Sequence, residues 1–290
     1  MRVLVGLGGA VAMLAAASAA QAGELRPSGK LLLTGGVSNV EGAGGGGIAS
    51  WATITGYETR DGIGANAHAT YIDLPDYQFT AYGVAAGFYD RFEVSYTRQA
   101  FDTQGTGGKL GLGSGFTFHQ DVVGAKLRVL GDAVYDQDSW LPQVSLGAQY
   151  KKADRGAVIG LLGGKHDSGV EWYAAATKVL LNESLVLNGT LRATKANQTG
   201  LLGFGGPKND GYQAEFEGSA ALLLSRRVAV GVEYRTKPDN LGLRENDWAD
   251  LFAAYAINKT LSITAAYVDL GEIATFKNQR GVYLSLQAGF

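Results

Sequence analysis

Apolar and polar residues alternate with a period of two along most of this chain, in segments of about ten residues bounded by Gly, Asn, Asp or Arg. In 62–72 one face carries Ile63, Ala65, Ala67, Ala69 and Tyr71, and the other Gly64, Asn66, His68 and Thr70. Val144, Leu146, Ala148 and Tyr150 alternate with Gln143, Ser145, Gly147 and Gln149, and Val228, Val230, Val232 and Tyr234 with Arg227, Gly231, Glu233 and Arg235. Helical periodicity is almost absent. The pattern predicts fourteen strands, near 30–37, 48–57, 62–72, 77–88, 92–101, 118–130, 141–151, 169–181, 184–196, 211–223, 226–236, 248–257, 260–270 and 280–290.

A soluble sandwich also alternates, but two features favour a membrane barrel. The apolar face is built of Ala, Val, Leu and terminal aromatics, as a lipid-facing band with aromatic girdles requires, while Gly, Ser and Thr join the charges on the other face. The connections also differ by rank. Tight turns at 59–61, 89–91, 182–183, 225–226 and 258–259 interleave with loops at about 38–47, 102–115, 152–168, 197–210, 237–247 and 271–279, the asymmetry of short periplasmic turns and long external loops. Reading 131–140 as a long turn and 157–162 as part of an external loop keeps the strand directions alternating; 12 or 16 strands satisfy the same even parity. In hydrocarbon an unpaired backbone group costs several kcal/mol, so strands can span only as a closed ring. The fold expected is an all-β, transmembrane, antiparallel up-and-down β-barrel.

The N-terminus reads as a targeting segment. Met1-Arg2 is followed by an almost wholly apolar stretch to residue 19 and by Ala20-Gln21-Ala22, the small-x-small form of a signal-peptidase site. Cleavage is expected after Ala22, leaving 23–290 as a single barrel domain in the outer membrane of a Gram-negative bacterium. With strands starting about ten residues later, no long N-terminal plug is expected. At the other end Val282, Leu284, Leu286, Ala288 and Phe290 occupy every second position, a pattern similar to the C-terminal strand by which the barrel-assembly machinery recognises its substrates.

Composition narrows the function classes. The 25 basic and 27 acidic residues leave no positive field for nucleic acid, and the lack of cysteine excludes thiol catalysis and cysteine-based metal sites. The three histidines have no metal-ligand spacing, so no metal or cofactor is implied. Ser114, His119 and Asp121 hold the residue types of a hydrolytic triad, but Ser114 lies in a glycine-rich loop; His68 reads as a lumen residue and His166 as a solvated one. The runs at 42–47 and 111–115 lack the Lys-Ser or Lys-Thr of a phosphate loop and read as flexible external loops.

Four stretches, GKLLLTGGVS at 29–38, GFTFHQDVVGAK at 115–126, DQDSWLPQVSLGAQYKK at 136–152 and TLRATKANQ at 190–198, make nearly the whole mature chain resemble a family of uncharacterised outer-membrane proteins of Gram-negative bacteria. The resemblance implies location and fold, and no activity or site residues.

The remaining chemistry is the charge on the inward face. Lys126, Arg128, Lys178, Arg192, Arg227 and Arg235 are expected to line the lumen with Glu93, Glu215, Glu217 and Glu233, because a cation at mid-membrane on the lipid face costs about 2–4 kcal/mol. Cross-strand pairing would neutralise much of this mildly basic field. The preferred function is a passive channel for small solutes, without enzymatic chemistry. The alternatives are a non-conducting structural or adhesion barrel and, less favoured, an outer-membrane lipid hydrolase. Partners expected are outer-membrane lipid, the assembly machinery and small solutes.

Overall fold

The computed structural model describes residues 30–35, 37–243 and 245–290, so the expected signal segment lies outside the described residues. Twelve strands form the wall: β1 (Ile63–Asp73), β2 (Gln78–Phe88), β3 (Phe92–Asp102), β4 (Thr117–Leu130), β5 (Gln143–Ala153), β6 (Ser168–Leu180), β7 (Leu185–Thr194), β8 (Gln213–Ser225), β9 (Val228–Arg235), β10 (Trp248–Ala256), β11 (Leu261–Asp269) and β12 (Arg280–Gly289). Each pairs antiparallel with its neighbours in sequence, and β1 pairs with β12, for example Ala69 opposite Leu286, so the sheet closes without an edge. The ladder slips only at two bulges, between Arg128 and Leu130 and between Leu223 and Ser225.

The alternation behaves as a two-sided wall demands. Ile63 and Tyr71 point outward and are exposed, while Asn66, His68 and Thr70 on the same strand are buried inside. Leu191, Leu251, Val282 and Leu284 extend the apolar outer surface around the ring. Tyr150, Trp172, Tyr234 and Tyr267 stand on it in the halves of their strands nearer the long loops, and Tyr71, Tyr82 and Tyr96 elsewhere on the same surface. Five of those loops fall where the sequence places them, and the apolar stretch at 157–162 forms a short helix in one of them, Gly156–Leu161.

The correction lies in the first two expected strands. The described residues of 30–37, namely 30–35 and 37, and residues 48–57 do not join the wall; 37–57 run through the barrel interior and are almost all buried, with Ile48 and Ile54 at 0% exposure and Trp51 at 4%. The barrel therefore has 12 strands rather than 14. It also has an N-terminal plug, contrary to expectation. The residues 42–47, expected as an external loop, are part of that plug. The error has a physical origin. A segment surrounded by wall on every side meets no lipid, so Ile48-Ala49-Ser50-Trp51-Ala52 is buried without regard to face. Removing two consecutive strands also leaves the direction of every later strand unchanged, so parity could not expose it.

A ring stitched by uninterrupted antiparallel ladders should survive detergent at room temperature. The unboiled protein is expected to migrate differently from the boiled protein on a detergent gel; identical migration would contradict a closed barrel.

Candidate functional site

The plug has little secondary structure of its own, only isolated bridges such as Ser38 to Gly44 and Gly45 to Ser50. Its peptide groups nevertheless cannot stay unpaired in a dry interior, where each would cost about 1–3 kcal/mol. The wall supplies the partners. Glu93 accepts from the Gly44 and Thr55 N–H groups at 3.0 and 2.8 Å, Glu217 from Ser50 at 2.8 Å, and Glu233 from Gly47 and Ile48 at 2.6 and 2.8 Å. Lys126 donates to the carbonyls of Gly44, Trp51 and Thr53 at 3.0, 3.1 and 2.7 Å, while Gln143 donates to Ala52 at 2.7 Å. Gln287 holds both the N–H and the carbonyl of Ser38, at 2.6 and 3.0 Å.

Glycine makes this approach possible. A Cβ on Gly46 would sit 1.7 Å from Glu233 Oε1, and one on Gly87, in the wall, 2.1 Å from the Thr55 carbonyl oxygen. The run at 42–47 thus serves close packing against wall carboxylates, not flexibility.

Beside these contacts lies a buried ionic cluster. Glu41, from the plug, receives both guanidinium nitrogens of Arg235, at 3.0 and 3.1 Å, and the Lys151 ammonium; Arg192 stands 3.6 Å away. On the wall Arg192 pairs with Glu217 at 2.6 Å and Glu171 at 3.2 Å, Lys151 also pairs with Glu171, and Arg235 lies 3.4 Å from Glu217. Gln149 and Ser50 accept further bonds from Arg192 at 2.8 and 2.9 Å. Burial works against the charge of Glu41, but Arg235, Lys151 and Arg192 outweigh it and hold the carboxyl well below the ordinary glutamate value of 4.5.

The sequence-selected residues divide by position. Glu93, Lys126, Arg192, Glu217, Glu233 and Arg235 are buried in the lumen. Arg128 lies at the turn end, 3.6 Å from Asp132; Lys178, also at that end, bonds the Asp136 carbonyl, and Glu215, at the loop end, bonds Thr236. Arg227 is exposed in the turn before β9 rather than inside the lumen. Val282 and Leu284 face outward in β12, Leu286 and Ala288 follow on the same face, and Phe290 caps the strand, its carbonyl accepting from Tyr57 and Ala65 at 2.8 and 3.1 Å. The expected basic excess is not seen at mid-lumen, where Lys126, Lys151, Arg192 and Arg235 meet Glu93, Glu171, Glu217 and Glu233.

Glu41, Lys151 and Glu171 escaped the sequence reading. Lys151 continues the inward parity of Gln143 to Gln149 and was legible; Glu41, on an irregular segment, had no periodicity to mark it. Ser114, His119 and Asp121 do not assemble. His119 Nδ1 lies 3.0 Å from Asp154, Asp121 is taken by Arg98 and Tyr96, each at 2.8 Å, and Ser114 is an exposed donor to the Gln104 carbonyl. His68 is buried in the lumen wall without a hydrogen-bond partner.

Little free space remains. Two interior cavities, one beside Val40 and Trp248 and one beside Trp51 and Phe252, measure about 20 and 30 Å³, enough for a water or two. At the turn end an open cleft of about 700 Å³ lies among Arg60, Asp90, Arg91, Arg128 and Asp132.

Two outcomes follow. Gly87→Val should drive the Thr55 region off the wall and raise the cleavage of 37–57 by added protease, the barrel remaining heat-modifiable; unchanged cleavage would mean that the plug is not seated against β2. Because the Glu41 carboxyl is depressed in the seated state, its contribution is complete above pH 4.5 and is lost as pH falls further. Cleavage of 37–57 in the wild type should therefore increase toward pH 3, and Glu41→Gln should remove that part of the pH dependence.

The chain is similar to several solved barrels. The KdgM porin is 8% identical with a TM-score of 0.50, covering 78% of this chain and 99% of that one. The NanC porin is 9% identical with a TM-score of 0.47 over 78% and 98%, and the outer-membrane protein Omp33 of Acinetobacter baumannii 10% identical with 0.43 over 79% and 97%. At such identities the KdgM likeness supports the fold alone. No curated protein matches the sequence. Residues 34–287 match a family described as "Protein of unknown function (DUF3034)".

Proposed function

The chain belongs to that family, which brings no activity with it, and we propose from the geometry that it is an outer-membrane barrel for the passage of small solutes, kept shut by its own N-terminal segment. The chain would reach the outer membrane through a signal peptide cleaved after Ala22, and its β12 face, from Val282 to Phe290, would be read by the assembly machinery. The apolar outer surface with its tyrosines suits lipid.

One observation carries the channel reading: the lumen is polar, and its side chains hold a segment from outside the sheet rather than only one another. A barrel filled merely for stability would be expected to close its core with side chains from the wall, as small barrels do. Here the filling is the segment that leads into β1, bound by hydrogen bonds and by the Glu41 carboxylate, with Lys30 ahead of it paired to Asp90 at 3.0 Å. Passage would require the plug to shift, and solutes would then meet Lys126, Lys151, Arg192 and Arg235 alternating with carboxylates. No covalent step is assigned.

A second reading is favoured by the completeness of burial of Ile48, Trp51 and Ile54, which suits a permanently closed barrel acting in envelope structure or adhesion.

Planar-bilayer recordings separate the two. Wild-type protein should be quiet, whereas a variant lacking 37–57, or Gly87→Val should the deletion fail to fold, should give conductance steps whose ion selectivity changes on Arg192→Ala. Silence of both variants, each verified as folded by its heat-modifiable migration, would favour the structural barrel.

A further inference from the structure

We infer that Arg235, Lys151 and Arg192 form a binding site for the carboxylate of a small solute, which Glu41 occupies while the lumen is shut. The inference rests on the plugged-channel reading and names the class of solute.

Charge balance is the first argument. The wall brings three cations to this cluster, Arg235, Lys151 and Arg192, and two carboxylates, Glu171 and Glu217; Glu41 supplies the third. Without Glu41 these five wall groups, at most 4% exposed while the plug is seated, carry one surplus positive charge, although Glu233 evens the count over the mid-lumen wall as a whole. Arg235, Lys151 and Arg192 without Glu41 are one carboxylate short, a vacancy whose charge and position suit another monoanion.

Geometry is the second. The Arg235 fork addresses the two oxygens of one carboxylate at 3.0 and 3.1 Å, a planar match that a spherical ion cannot make. The fork is held largely by the wall, Arg235 Nε lying 3.4 Å from Glu217 and its guanidinium 5.9 Å from the Trp248 ring centre, with one further bond to the plug's Ile48 carbonyl at 3.2 Å. Arg192 is likewise fixed by Glu217, Glu171, Gln149 and the Tyr173 face, 4.9 Å away. A receptor held by its own wall keeps its shape when the occupant leaves. Glu171 and Glu217 beside it set the valence, because a phosphate dianion would leave surplus negative charge next to two carboxylates.

The third argument is the attachment of the occupant. Glu41 follows Asn39 on a segment without a ladder, its own N–H bonded to the Asn39 side chain at 3.0 Å, whereas every other member of the cluster sits on a strand. It is the one member that can be exchanged without opening the wall.

The test uses the full chain in detergent. In Glu41→Ala, acetate, the size of the group removed, should raise the thermal midpoint saturably, with an apparent affinity at least about tenfold above that of chloride at equal ionic strength. Phosphate should resemble chloride, and adding Arg235→Gln should abolish the acetate effect. Equal responses to acetate and chloride, or an acetate effect as large in the wild type, would overturn the site. If Glu41→Ala does not fold, the wild type still decides: high acetate, but not chloride, should increase protease cleavage of 37–57, and no difference between the salts would refute the inference. Failures remain separable. A Glu41→Ala barrel that ignores acetate while the plug-deleted or Gly87→Val variant conducts overturns this inference alone, and one that binds acetate while both of those variants stay silent overturns the channel reading.

Discussion

The structure depends on one requirement: peptide groups removed from water must find hydrogen-bond partners. The wall meets it by closing on itself, β1 to β12. The plug meets it only in part, through turn bonds such as Val40 to Gly47 and Trp51 to Gly44, and so the inward face of the wall has to provide in side chains the rest of what a neighbouring strand would provide in main chain. This explains the composition of the lumen. Carboxylates stand where the plug presents N–H groups, as Glu233 does for Gly47 and Ile48, and donors stand where it presents carbonyls, as Lys126 does for Gly44, Trp51 and Thr53. Charges that the membrane argument merely sends inward acquire specific work.

How much of this was legible follows from the same physics. Each wall strand separates an apolar outside from a polar inside, and that difference repeats every second residue, so all twelve could be placed from the alternation to within about two residues. The plug separates nothing from anything. Its stretch from Ile48 to Thr55 has a strand's composition, rich in β-branched residues, and reads as a wall strand because the long-range contacts that bury it leave no mark on the local pattern. The lumen charges were readable in sign and direction, but not their partners. Arg192 faces Glu215 in register yet bonds the next carboxylate along, Glu217, and Glu41 reaches the cluster from outside the sheet altogether. Arg227 shows the converse: its parity is right, but it lies beyond the end of its strand, where parity decides nothing.

The buried cluster around Glu41 also sets a limit on how the interior can vary. Three cations and three carboxylates in contact balance only as a group, and a buried pair broken on one side is far costlier than one never formed. The fit between plug and wall is therefore electrostatic at one end and steric at the other, where Gly87 admits the Thr55 carbonyl.

The seam at Phe290 bears on the order of assembly. Its carbonyl accepts from Ala65, at the start of the first strand, and from Tyr57, where the inner segment leaves the cavity. One oxygen thus joins two neighbouring points, Tyr57 and Ala65, to a residue more than two hundred positions further along the chain. Sealing the ring and fixing the exit of the inner segment therefore use one acceptor, so neither junction is complete before the C-terminal strand has docked.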